Sequence, residues 1–158
     1  MKTLRLLIIL LALTAMVWIK PTLCDAQGTW QTRLAQGVAT FVSNTQKFCI
    51  EKGKVECELI EIEENPPLLL EGQVIDYIGV RQRGVVYFYL VVAEKENMDP
   101  DIYLFDSQGK LLVNSKEVGP FDVVVHVPEY TQKVIERIKM HKGSGHIGLA
   151  VLAPVGSN

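Results

Sequence analysis

Histidine and cysteine are both scarce in this chain, with three of each in 158 residues. His126 stands alone in an apolar stretch. His141 and His146 flank one turn and could meet across a hairpin, but two imidazoles are too few for a closed zinc site. No serine sits in a Gly-x-Ser-x-Gly elbow. Ser43, Ser107, Ser115, Ser144 and Ser157 lie in turn-like or polar surroundings, without the base and orienting group that nucleophilic catalysis needs. Positive charge is not in excess either, at 16 Lys and Arg against 18 Asp and Glu. That balance argues against nucleic acid as a partner, because basic stripes supply most of the affinity there. No apolar stretch reaches the ~20 residues of a membrane-spanning helix. Internal repeats and low-complexity tracts are also missing.

What is present begins with a short basic segment, Met1 to Arg5, followed by a predominantly apolar run of 14 residues from Leu6 to Ile19. Lys20, Pro21 and a stretch ending Cys24-Asp25-Ala26 come next. This order of charged, apolar and small residues predicts a secretory signal peptide over residues 1–26, cleaved after Ala26. The other reading is an uncleaved N-terminal anchor. Residues 27–158 then form one small domain carrying 13 basic and 17 acidic side chains, with no membrane span of its own and a periplasmic or secreted location.

Once the signal is set aside, Cys49 and Cys57 are the remaining cysteines. An even pair in an exported protein suggests a disulfide, and Gly53 lies midway in the segment that must turn back. A redox or metal pair would more often use a two-residue gap. The best helix signal covers residues 29–48, where Trp30, Leu34, Val38, Phe41, Val42, Thr45 and Phe48 recur at three- and four-residue steps. Thr29 can cap its start, and Gly37 carries a cost in its middle. The stripe either packs on its own domain or docks on a partner. Residues 27–54 are therefore expected as a helix and a disulfide-closed turn, and residues 55–158 as a β-sandwich.

From Val55 onward the pattern is β. Glu56, Glu58, Glu61, Glu63 and Glu64 form an acidic run that suits the solvated face of an edge strand. Leu68 to Val80 is extended, and Arg81-Gln82-Arg83-Gly84 reads as a turn. Val85 to Ala93 is apolar or aromatic throughout, which predicts a central strand covered on both faces. One cover is the opposite sheet, with Ile102, Leu104 or Val123 and Val125; the other is the helix. Asp101–Asp106 and Lys110–Asn114 read as a hairpin, Phe121–Val127 as a strand, and His146–Val155 as a last strand. Residues 130–142 fit either helix or strand spacing. Gly143-Ser144-Gly145-His146-Ile147-Gly148 has the spacing of a dinucleotide fingerprint, but a strand follows it where that motif requires a helix.

Two stretches carry a resemblance. Asp99-Pro100-Asp101-Ile102-Tyr103-Leu104-Phe105-Asp106-Ser107-Gln108-Gly109-Lys110-Leu111-Leu112 resembles the aspartate, strand, turn-glycine, strand signature of bacterial pre-peptidase C-terminal domains. Gly143 to Val151 resembles that family's closing turn and strand. The likeness spans roughly residues 68–153. It implies a jelly-roll-like antiparallel β-sandwich without a catalytic centre, exported, with some members binding calcium or extracellular polymers, and it tips residues 130–142 toward strand.

Glu96, Asp99, Asp101 and Asp106 crowd one turn and hairpin. An oxygen-only set suits calcium, while Asp in tight turns also bonds to its own backbone. No other cofactor is indicated. The functional expectation is a non-catalytic binding or accessory module for an exported protein or extracellular polymer, with Tyr77, Tyr87 or Tyr103 as candidate contacts in a groove. The alternative is a small structural or assembly subunit docking through helix 29–48.

Overall fold

The computed structural model describes residues 29–156; the expected signal segment, residues 1–26, lies outside them. Among the described residues there is one α-helix, α1 (Trp30–Phe48); it begins at Thr29, whose hydroxyl accepts the Thr32 N–H at 3.4 Å. It runs into a π-helical turn over Cys49–Gly53. The residue that reverses the chain in the left-handed region is Lys54, at φ 56°, rather than Gly53. Cys49 and Cys57 are bonded, so the helix end is tied to the first strand.

Nine strands follow: β1 (Cys57–Ile62), β2 (Leu68–Leu69), β3 (Val74–Arg81), β4 (Tyr87–Ala93), β5 (Asp99–Asp106), β6 (Leu111–Ser115), β7 (Phe121–His126), β8 (Gln132–Lys142) and β9 (Gly145–Pro154). They form two antiparallel sheets, ordered β1-β9-β4-β7 and β3-β8-β5-β6, with β2 pairing the start of β9. The chain crosses between sheets in the double Greek-key order of a jelly roll. Residues 68–80 are not one strand but two, separated by a turn at Gly72. Of the stretch 130–142, residues 132–142 form strand β8 and residues 130–131 a bend before it.

The β4 strand is buried at all seven positions and lies between β9 and β7. Its residues divide cleanly. Tyr87, Tyr89, Val91 and Ala93 face the second sheet, where Ile102, Leu104, Val134, Ile138 and Met140 meet them. Phe88, Leu90 and Val92 face α1, against Leu34, Val38 and Phe41. Val123 and Val125, expected on the opposite sheet, instead sit beside β4 in β7 and help cover the helix. The sandwich thus has three layers, helix on sheet on sheet, because a strand without polar alternation needs apolar cover twice. The helix approaches so closely that a Cβ on Gly37 would lie 2.8 Å from Val92 Cγ2. The glycine that looked like a liability is the contact point.

Candidate functional site

Burial alternates along the second sheet. In β8, Val134, Glu136, Ile138 and Met140 are buried inside, so Lys133, Ile135, Arg137 and Lys139 project from the outer face. In β5 the interior takes Ile102 and Leu104, leaving Tyr103 and Phe105 outside. In β3, Asp76, Ile78 and Val80 point outward. The helix covers the other sheet, and among the described residues no second helix covers this one.

Strand register aligns these side chains into rows. Ile78 pairs with Ile135, Ile135 with Phe105, and Phe105 with Leu111, giving an apolar row across all four strands. Ile78 is 70% exposed and Leu111 46%. The neighbouring row runs Asp76, Arg137, Tyr103, Asn114. The rings of Tyr103 and Phe105 lie 6.3 Å apart and within 16° of parallel. Arg137 holds Asp76 through two hydrogen bonds of 2.7 Å, while its guanidinium sits 5.2 Å from the Phe105 ring centre. Lys116 lies 5.6 Å from the Tyr103 ring. The Tyr103 hydroxyl donates to Asp101 Oδ2 at 2.9 Å. Partial burial, with the adjoining Asp101 carboxylate, pushes that phenol up to about 12. The Arg137 hydrogen bonds hold Asp76 below the usual carboxylate range. The surface offers two near-parallel aromatic rings beside planar polar groups. It presents surfaces to stack on and groups to hydrogen-bond with.

A second polar cluster is internal. Arg81, expected in a turn, ends β3 and is only 2% exposed. Its Nε donates to the Tyr89 hydroxyl at 3.0 Å, its Nη1 to Glu61 at 3.0 Å, and its Nη2 to both Glu61 and Glu136. Glu136 is fully buried, and among the described residues its Oε2 has no hydrogen-bond partner. Burial, reinforced by the Glu61 charge and opposed by Arg81, raises the Glu136 pKa. Glu61 belongs to one sheet and Glu136 to the other, so the guanidinium clamps the open edge of the sandwich. Of the acidic run, Glu58 and Glu61 lie on the edge strand β1 while Glu56, Glu63 and Glu64 flank it, and Glu61 is drawn inward to Arg81.

The helix start is held by a third group. Trp30 stacks on His146 at 3.9 Å, and His146 Nδ1 is 2.8 Å from Glu94 Oε2. Burial of Glu94 works upward on its pKa, but hydrogen bonds from Lys95 and His146 outweigh it and hold the group low. His146 is therefore not paired with His141. Their strands, β8 and β9, belong to different sheets, so no ladder brings the rings together. Two clefts open nearby. One, of 260 Å³, lies between α1 and the end of β1 and includes Trp30, Leu34, Ile62 and Leu149. The other, of 210 Å³, lies between β1 and β3 and includes Glu61, Glu63 and Tyr77.

The carboxylates at 96–106 are dispersed by the fold. Glu96 is exposed. Asp99 accepts the Gly119 N–H at 2.8 Å, Asp101 the Tyr103 hydroxyl, and Asp106 the N–H groups of Gln108 and Lys110, each at 2.9 Å. Among the described residues no group of three or more His, Cys, Asp or Glu side chains is placed to hold a metal ion. Of the candidate tyrosines, Tyr103 reaches the outer face, while Tyr87 is buried and Tyr77 turns inward.

No family model and no curated protein matches this chain. One similar solved structure is titled "CBM4 structure and function". It is 9% identical, with 67% of this chain and 83% of that chain covered and a TM-score of 0.37.

Proposed function

We propose that this chain is an exported, non-catalytic binding module that takes its ligand on the outer face of the second sheet. The observation that carries the reading is the row Ile78, Ile135, Phe105, Leu111. It is apolar across four strands and exposed at both ends. A sheet face turned to water ordinarily alternates to polar residues, and exposed apolar patches mark interaction sites. The disulfide supports export, since such bonds persist in oxidising compartments. The pre-peptidase C-terminal likeness is part of the same proposal: its two motifs fall on the β5–β6 hairpin and on β9, and β5 supplies both aromatic rings. Docking through helix 29–48 is the weaker reading, because Leu34, Val38 and Phe41 are spent on β4 and its neighbours.

Screening the domain for retention on immobilised extracellular polymers and exported proteins tests the reading. Phe105→Ala should abolish whatever retention is found while leaving circular dichroism and melting temperature nearly unchanged. Retention that survives Phe105→Ala, Tyr103→Ala and their combination would place the ligand elsewhere.

A further inference from the structure

We infer that the ligand of this face is an anionic polysaccharide chain, an inference that rests on the binding-module reading above and gives it a substrate class. The outer face carries Lys116, Lys133, Arg137 and Lys139 against two carboxylates, Asp76 and Asp101. Both carboxylates are already occupied, Asp76 by the Arg137 fork and Asp101 by the Tyr103 hydroxyl. Among the described residues none of Lys116, Lys133 and Lys139 is in an ion pair. A face with two positive charges in excess thus stands on a chain whose net charge is −2.

Three of these cations come from one strand. In β8 the outward positions 133, 137 and 139 are basic, and position 135 is the isoleucine of the apolar row. Alternate residues of a strand are about 7 Å apart, so the column from Lys133 to Lys139 is about 20 Å long. That length meets several units of an extended polymer at once. Beside the column stand the half-buried rings of Tyr103 and Phe105, 6.3 Å apart and within 16° of parallel, the kind of aromatic group that packs on the apolar face of a sugar ring. Asn114 and the Arg137 Nη1, which is not used on Asp76, supply planar polar groups for ring hydroxyls. An anionic glycan uses all three features, whereas a neutral one leaves the free lysines without a partner. Single-stranded nucleic acid also uses aromatics and cations. Its dense phosphate charge, however, meets only a small local excess here, on a chain that is acidic elsewhere.

Affinity electrophoresis of the domain through gels containing polygalacturonate, a neutral β-glucan or oligo(dT) tests the inference. Two variants accompany it: Phe105→Ala, and the double variant Lys133→Gln/Lys139→Gln, which breaks no ion pair. The expected result is retardation by polygalacturonate that weakens as salt rises from about 0.05 to about 0.5 M, as screening demands. Each variant should weaken it about tenfold or more, since the loss of even one charge-assisted or stacked contact has about that effect and the double variant loses two. Equal or stronger retardation by the β-glucan, lost in Phe105→Ala but kept in the double variant, overturns the inference and leaves the binding face standing. Oligo(dT) displacing polygalacturonate overturns it in favour of nucleic acid. Absence of any retardation by polygalacturonate also overturns it. Retardation indifferent to both variants removes the face itself, and with it both readings.

Discussion

The Arg81 guanidinium folds back over Gly79, two residues earlier on the same face of β3, so closely that a Cβ at position 79 would fall on its nitrogens. Such a clash is cheap when the side chain is free to move. Here the side chain is held by Glu61, Glu136 and Tyr89. Gly79→Ala should therefore push the cation away from Glu136 and leave a buried carboxylate uncompensated, at a cost of about 3 kcal/mol. In an Arg81→Met/Glu136→Met background the same substitution should be nearly neutral, because no charge is left to strand. Urea denaturation of the four proteins checks the coupling; an equal loss in both backgrounds would assign the cost to the backbone instead.

Gly37→Ala sets two effects against each other. Alanine improves the helix by about 1 kcal/mol. Its methyl, however, would press on Val92 Cγ2 at 2.8 Å, and overpacking costs about 1–3 kcal/mol. The clash should win, and Gly37→Ala should lower the melting temperature. Adding Val92→Ala should restore part of the loss, which a purely local backbone effect would not allow.

Asp122, buried inside β7, accepts the N–H groups of Ile102 at 3.2 Å and Val123 at 3.0 Å. Burial nonetheless pushes its carboxyl up to about 6, from 3.8. The folded state therefore holds this proton more tightly than the unfolded chain. Its contribution is fully present below pH 3.8 and is lost as pH rises to about 6. At about 1.4 kcal/mol per pH unit, the loss is about 3 kcal/mol. Asp122→Asn removes the dependence. Compared with the parent, the variant should gain about 3 kcal/mol between pH 3.5 and pH 7, read by urea denaturation at each pH. A constant difference between the two proteins across that range would contradict the assignment.

The Cys49–Cys57 bond closes a short loop between the helix end and β1. Replacing both cysteines with serine should cost about 2–3 kcal/mol on chain-entropy grounds. Adding reductant to the parent should approach the same midpoint. If neither treatment moves the urea midpoint, the neighbouring contacts of α1 on the sheet suffice to hold the loop.

How far these features could be read in advance depended on whether their partners were near in sequence. The run from Val85 to Ala93 announces a doubly covered strand by itself, because all the information is in nine adjacent residues. The helix stripe and its Thr29 cap are equally local. Residues 132–142 are harder: Val134 and Ile138 satisfy both helical and strand spacing, and Glu136 places a charge where a core strand should show an apolar residue. Its reason lies far away, at Arg81, 55 positions earlier. Arg81 was itself disguised by the polar sequence Arg-Gln-Arg-Gly, which has the composition of a turn. The outer-face rows were invisible for a related reason. Ile78, Ile135, Phe105 and Leu111 become neighbours only through register, and register is a property of pairs of strands.

The position of β9 has a consequence for the order of events during synthesis. This strand pairs β1, β2 and β4 and so organises the whole first sheet, yet among the described strands it comes last in chain order. Until it arrives, β4 lacks a neighbour on one side, and the ladder that joins Cys57 to Pro154 cannot close. Contacts this distant along the chain form slowly. The first sheet of a nascent chain must therefore stay open until β9 is made, with its most apolar strand in need of protection from aggregation. An unfolded, threadable chain is also the form in which a polypeptide can be passed through a narrow channel before it folds.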